Sequence, residues 1–109
     1  MKLYLTRTHS SIKAAADYDV ENKSFVVLKG SVISEAIAYS EKFRGAKSIE
    51  KFRVGVVDGT RVTKDVLFKS ASTAANFVTG TSTNGLTAWK DESGKTLKAI
   101  LAEMESNNE

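Results

Sequence analysis

The chain has no cysteine, no proline and one histidine, and none of its 109 residues form an apolar run of membrane-spanning length. Without cysteine there is no disulfide, no thiolate nucleophile and no cysteine-ligated zinc. Without proline there is no Pro-rich linker, and neither an internal repeat nor a low-complexity tract replaces it. The histidine, His9, lies in Thr8-His-Ser-Ser11. Adjacent serines do not make the nucleophile, base and orienting acid of a triad, so His9 reads as an exposed loop residue. No H-x-x-x-H pair or Asp-rich calcium loop occurs. Residues 80–85 lack the lysine and following hydroxyl residue of a phosphate-binding loop. Asp91 and Glu92 adjoin in a turn, where carboxylates face water. These absences argue against a self-sufficient enzyme and leave no cofactor expected. Met1-Lys-Leu-Tyr-Leu-Thr-Arg7 has no apolar stretch of secretion-signal length. The expectation is a cytoplasmic protein with no membrane partner.

What is present suits one folded unit. A hydrophobic fraction of 41% and a charged fraction of 27% are ordinary for a globular domain. The length accommodates one core. The expected organisation is a single domain over residues 1–105 and a frayed tail over 106–109. The net charge of +3 is unevenly spread: residues 1–53 carry +4 and residues 54–109 carry −1. A positive half attracts phosphate; the alternative is an ordinary solvated surface.

Local pattern points to an α+β fold, a small antiparallel sheet built of hairpins and packed against two or three helices. Leu3-Tyr-Leu-Thr6 suits a strand. Residues 14–18 and Phe25-Val-Val-Leu28 suit a β-hairpin around a turn at Glu21-Asn-Lys-Ser24, where asparagine tolerates left-handed geometry. Residues 32–45 are open: Ile33, Ala36, Ile37 and Ser40 share a helical face, yet the run also begins well as extended chain. Ile49 and Phe52 mark a half-buried helix that Gly55 stops. Val56 to Val62 reads as a hairpin around Asp58-Gly59, and Val66-Leu-Phe68 as a strand. Ser70 caps a helix over 70–79 whose buried face is Ala71, Ala74, Ala75 and Val78 and whose stop is Gly80. Residues 82–85 read as a turn, 86–90 as a strand and 91–94 as a turn. Leu97, Ile100, Leu101 and Met104 define an amphipathic helix over 96–105, facing Val78 and the sheet.

Two stretches are more specific than periodicity explains. They are Phe25-Val-Val-Leu-Lys-Gly-Ser31 and Phe68-Lys-Ser-Ala-Ser-Thr-Ala-Ala75. The second continues through Thr79-Gly-Thr-Ser-Thr-Asn-Gly85 to Trp89-Lys-Asp-Glu-Ser-Gly-Lys-Thr-Leu97. Together they resemble a bacterial domain family of unknown function found at the C-terminal end of GIY-YIG nuclease proteins. The resemblance covers residues 14–101, and residues 32–45 depart from its pattern. The S-x-S-x-A-A, N-G and Trp run is also similar to a domain attached to restriction enzymes and adenine methylases. The resemblance implies a DNA-binding accessory module, one that senses modified DNA in a restriction-modification setting.

The candidate contacts follow from residue type. Lys29, Ser31, Lys90 and Lys95 suit phosphate, and Ser72 stands on the first turn of a helix, where a hydroxyl can donate to phosphate. Asn84 either reads a ligand or, with Gly85, sets a turn that needs positive φ. Trp89 either stacks on a base or fills the core. Three phosphate contacts, from Lys29, Lys90 and one further base, give an expected salt slope of about −2.7 at about −0.9 each. The expected partner is DNA, bound weakly and salt-sensitively, with a nuclease or methylase protein alongside. The alternative is a protein-interaction module acting with a separately encoded nuclease or methylase.

Overall fold

The computed structural model describes residues 1–38 and 45–106. Alternation builds the sheet. In Lys2–Arg7 (β1) Leu3 and Leu5 point inward between exposed Lys2 and Thr6. In Ile12–Asp19 (β2) Ile12, Ala14 and Ala16 alternate with exposed Lys13 and Asp17. Ser24–Val27 (β3) adds Phe25 and Val27 to the same face, as a period of two requires. Registers run antiparallel from Lys2↔Asp17 to Arg7↔Ile12 and from Ala16↔Val27 to Asp19↔Ser24. The expected hairpin is therefore present. Its left-handed residue is Lys23, at φ 53°, rather than Asn22; Asn22 donates instead to Asp19.

Residues 31–38 form neither a helix nor a full strand. Val32 exchanges backbone bonds of 2.9 Å with Lys13, and Ile33 N–H donates to Thr60 and Ser34 N–H to Val78. These long-range acceptors outcompete a weak helical period. Ser40, assigned to that period, lies outside the described residues. Ala46–Arg53 (α1) buries Ala46 and Ile49, while Phe52 stays partly exposed against Phe68. Gly55 takes the positive φ that ends this segment. Val57–Asp58 (β4) and Arg61–Val62 (β5) form the second hairpin, with Gly59-Thr60 as its two central residues. Bridges from Val32 to Lys13 and Arg61 tie it to the main sheet. Val66–Phe68 (β6) pairs with β3 and completes the order β1-β2-β3-β6.

Ala71–Thr79 (α2) begins at Ser70, whose hydroxyl accepts from Thr73 N–H, and ends at Gly80 at φ 77°. Both caps fall where sequence places them. Ala74 and Ala75 are fully buried on this helix, so it lies close over β2, β3 and β6. A Cβ on Gly80 would collide with Ser34 Oγ and the Ala36 carbonyl. Arg53 holds three segments together. Its guanidinium donates to the Phe77 carbonyl at 2.6 Å, the Ser34 carbonyl at 3.0 Å and Ser34 Oγ at 3.0 Å. It also lies over the Phe77 ring.

Residues 85–88 correct the sequence reading: they are a short helix, Gly85–Ala88 (α3), not a strand. Leu97–Ser106 (α4) packs on α3, with Leu97 buried, Ile100 and Leu101 half-buried and Met104 37% exposed at the far end. Met104 therefore does not face Val78 and the sheet as its spacing suggests. Core rings run Tyr18–Phe25–Trp89 on one side and Phe52–Phe68–Phe77 on the other, at centroid distances of 4.8–5.4 Å. Burying each large side chain stabilises the fold by about 1.5–3 kcal/mol. The architecture is the expected α+β one, an antiparallel sheet with four α-helices among the described residues where two or three were expected. Residues 107–109 of the expected tail lie outside them.

Candidate functional site

The site grows out of the way residues 79–90 are locked. Thr79 Oγ1 meets Thr83 Oγ1 at 2.7 Å, and Asn76 Oδ1 accepts Thr83 N–H at 2.8 Å. Those bonds fold the Thr-rich loop back on the end of α2. Asn84 then caps α3, its Oδ1 accepting Leu86 N–H at 3.0 Å. Ser72 Oγ accepts Gly85 N–H at 3.1 Å, and Trp89 donates its indole N–H to the Ala71 carbonyl at 3.0 Å. Gly85 leaves no room for a Cβ, which would strike the Ala71 carbonyl and Ser72 nitrogen. The start of α3 is thereby pinned to the start of α2.

This placement opens a polar cleft of about 360 Å³ between the edge strand β1 and the outer side of α3. Thr6, Arg7, Ser82, Asn84, Thr87 and Lys90 supply its polar lining. Lys90 reaches it because its backbone exchanges bonds of 2.7 and 2.9 Å with Tyr4, extending the sheet by one bridge past β1. Arg7 and Lys90 are both exposed. Neither makes an ion pair among the described residues, and no carboxylate lines the cleft. Two cations among hydroxyls and an amide offer donors of the kind that suit phosphate oxygens.

A second cleft of about 270 Å³ adjoins the first through Thr6, Ala88 and Lys90, and there Asp91 and Glu92 join the lining. Asp91 is held below the usual carboxylate range, first by the Ser93 hydroxyl and then by the Lys95 backbone N–H. Asp91 thus keeps its charge, and the acidic turn adjoins the cationic surface on that side. No group of three His, Asp or Glu side chains suited to a metal occurs among the described residues.

The residues marked in the sequence separate. Asn84 and Lys90 meet in the cleft, and Ser72 sits behind it with its hydroxyl already accepting Gly85 N–H. Lys29 and Ser31 lie away from it, at the end of β3. Lys29 N–H donates to Asp65, and buried Ser31 bonds both backbone groups of Ala15. Lys95 is engaged by Glu103 at 2.8 Å, which raises its pKa. Trp89 is a correction as a stacking residue: its ring is fully buried against Phe25, with no face left for a base. Gly85 is a second correction, since it has no positive φ and is required for space instead. Sequence reasoning missed Arg7. The only signal was its position at the end of a strand beside a loop, which does not say what the strand end faces.

The fold and its locked loop define a small α+β domain with a cationic cleft at one sheet edge. The chain belongs to the family described as Domain of unknown function (DUF4357), whose model matches residues 6–101. Thr6 and Arg7 thus fall inside the matched span, ahead of the start at residue 14 that the motifs imply. No curated protein and no solved structure matches the chain. Among the described residues no helix is long and apolar enough to cross a membrane.

Proposed function

We propose that this domain is a non-catalytic accessory module that binds DNA, in a nuclease or restriction-modification context and with a bias toward modified DNA. The observation that supports it is the pair of cations, Arg7 and Lys90, facing a cleft of hydroxyl and amide groups with no carboxylate on its wall among the described residues. The charge excess of the N-terminal half works in the same direction. Two phosphate contacts correspond to a salt slope of about −1.8, at about −0.9 per contact on duplex DNA, and to micromolar affinity at best. That replaces the steeper slope obtained by counting Lys29, which stands outside the cleft. Base reading then falls to Asn84, Ser82 and Thr87, three of the neutral polar groups within the same lining.

The test is titration of duplex, single-stranded and methylated DNA at two salt concentrations. Arg7→Ala and Lys90→Ala should each weaken binding and reduce the slope by about 0.9, while Lys29→Ala leaves both unchanged. Absence of binding to every DNA form at about millimolar protein in low salt would sink the proposal. The protein-interaction reading would then take its place.

A further inference from the structure

Among the described residues the strand order ends at β6, which pairs with β3 on one side only. Which backbone groups its free side presents follows from the ladder. Leu28 N–H donates to the Ala15 carbonyl, so Ala15 and Leu28 are a hydrogen-bonded pair. Pairs of this kind alternate along an antiparallel ladder, which turns Val26 toward β2 and Phe25 and Val27 toward β6. Val66 and Phe68 then bond back to β3, as their register with Val27 and Phe25 requires. The N–H and C=O of Leu67 face outward, and among the described residues nothing pairs with them. Its side chain is 63% exposed, beside half-buried Val26 on the open face of the sheet.

We infer that β6 is a self-association edge, pairing antiparallel with β6 of a second copy about a two-fold axis at Leu67. The sequence around the axis is its own complement. Such pairing sets Leu67 against Leu67 and Val66 against Phe68. One residue beyond the strand in each direction it sets Asp65 against Lys69, twice. Alternation places Asp65, Leu67 and Lys69 on one side of the sheet, so the opposed charges flank a strip of Val26, Leu67 and their copies. Asp65 accepts Lys29 N–H with Oδ1 at 2.8 Å, leaving Oδ2 for the lysine opposite. Sliding the register by two residues either way puts Leu67 against Lys69 or Asp65, so only the centred register pairs both charges and apolar groups. A lysine on an edge ordinarily discourages strand addition; here it meets an acid in one register alone. The occupant that this pattern selects is another copy of the chain, with the isologous geometry usual for dimers.

Sedimentation of the full chain up to about millimolar concentration tests the pairing. The expected result is a concentration-dependent monomer–dimer equilibrium. Lys69→Glu places like charges opposite Asp65 and should weaken dimerisation by at least about tenfold. Leu67→Lys should abolish it over the same range. Lys64→Glu makes the same charge change beside the strand but opposite Ser70, and should leave the constant within about threefold. All three positions are exposed and outside the core, so thermal melts should remain close to wild type. A chain that stays monomeric throughout overturns the inference, as does a dimer indifferent to Lys69→Glu or equally weakened by Lys64→Glu.

Discussion

Residues 82–90 present two surfaces made on opposite terms. Toward α2 and the sheet, Gly85 and Trp89 are enclosed, and the one polar atom of the indole is bonded to Ala71. Toward solvent, Ser82, Asn84, Thr87 and Lys90 line an open cleft with Arg7. The difference teaches where specificity of residue type comes from in this short run. On the inner side it comes from volume: only glycine fits beside the Ala71 carbonyl, and only a large ring fills the gap beside Phe25. On the outer side it comes from charge and hydrogen-bonding capacity, of which the fold uses the Asn84 cap.

That contrast breaks first at Trp89. Trp89→Ala should cost about 3–5 kcal/mol in denaturant unfolding, the loss for a buried aromatic. A loss under about 1 kcal/mol would mean the inner side is not tightly packed. Gly85→Ala comes next, at about 1–3 kcal/mol from overpacking, and a wild-type melting temperature would contradict the enclosure. Asn84→Ala touches both sides, removing the cap of α3 and a cleft amide together. It should lower stability by about 1 kcal/mol and weaken DNA binding as well. Arg7→Ala belongs wholly to the outer side, and its stability should stay within about 0.5 kcal/mol of wild type. A larger loss would show that the arginine supports the fold.

The smallest effect sharpens the boundary of the outer side, at the Asp91 turn. Folding lowers the Asp91 pKa, so its contribution is complete above the ordinary aspartate value of about 3.9. It is lost as pH falls from there through the lower folded value. Asp19, lowered by the Asn22 side chain, acts in the same direction. Asp91→Asn should therefore flatten the acid limb of a stability–pH curve without abolishing it, and leave the curve near neutrality unchanged in shape. An acid limb as steep as the wild type's would remove Asp91 from this account.

Much of the fold was legible because it is local. The caps at Ser70 and Gly80, the strand composition of residues 3–6 and 25–28 and the apolar spacing of Leu97, Ile100 and Leu101 are short-range signals, and each lands in the element expected. The misreading at 86–90 has a physical source. Leu86-Thr-Ala-Trp-Lys90 has strand composition, but the Asn84 cap and the Ser72–Gly85 bond start a helical turn there. Met104 has helical spacing and is still 37% exposed, since period alone does not say where along a helix its packing partner ends. Of the site, Asn84 and Lys90 were legible as residue types, whereas their meeting with Arg7 was not. Arg7 and Lys90 are separated by most of the chain and come together only through the Tyr4–Lys90 bridge.

By itself the sequence determined β1, the first hairpin, α2 and α4, because composition, period, caps and turn residues act within a few positions of one another. It also determined the caps and the uneven charge, and it excluded cysteine chemistry. Tertiary structure alone decided the rest. It kept residues 32–34 out of a helix, since their backbone groups bond to Lys13, Thr60 and Val78. It turned Trp89 inward, left the Leu67 edge unpaired among the described residues, and set two distant cations on one cleft. Each of these depends on which surfaces meet, and hydrogen bonds and contacts between remote segments outweigh the modest local preferences that a sequence pattern expresses.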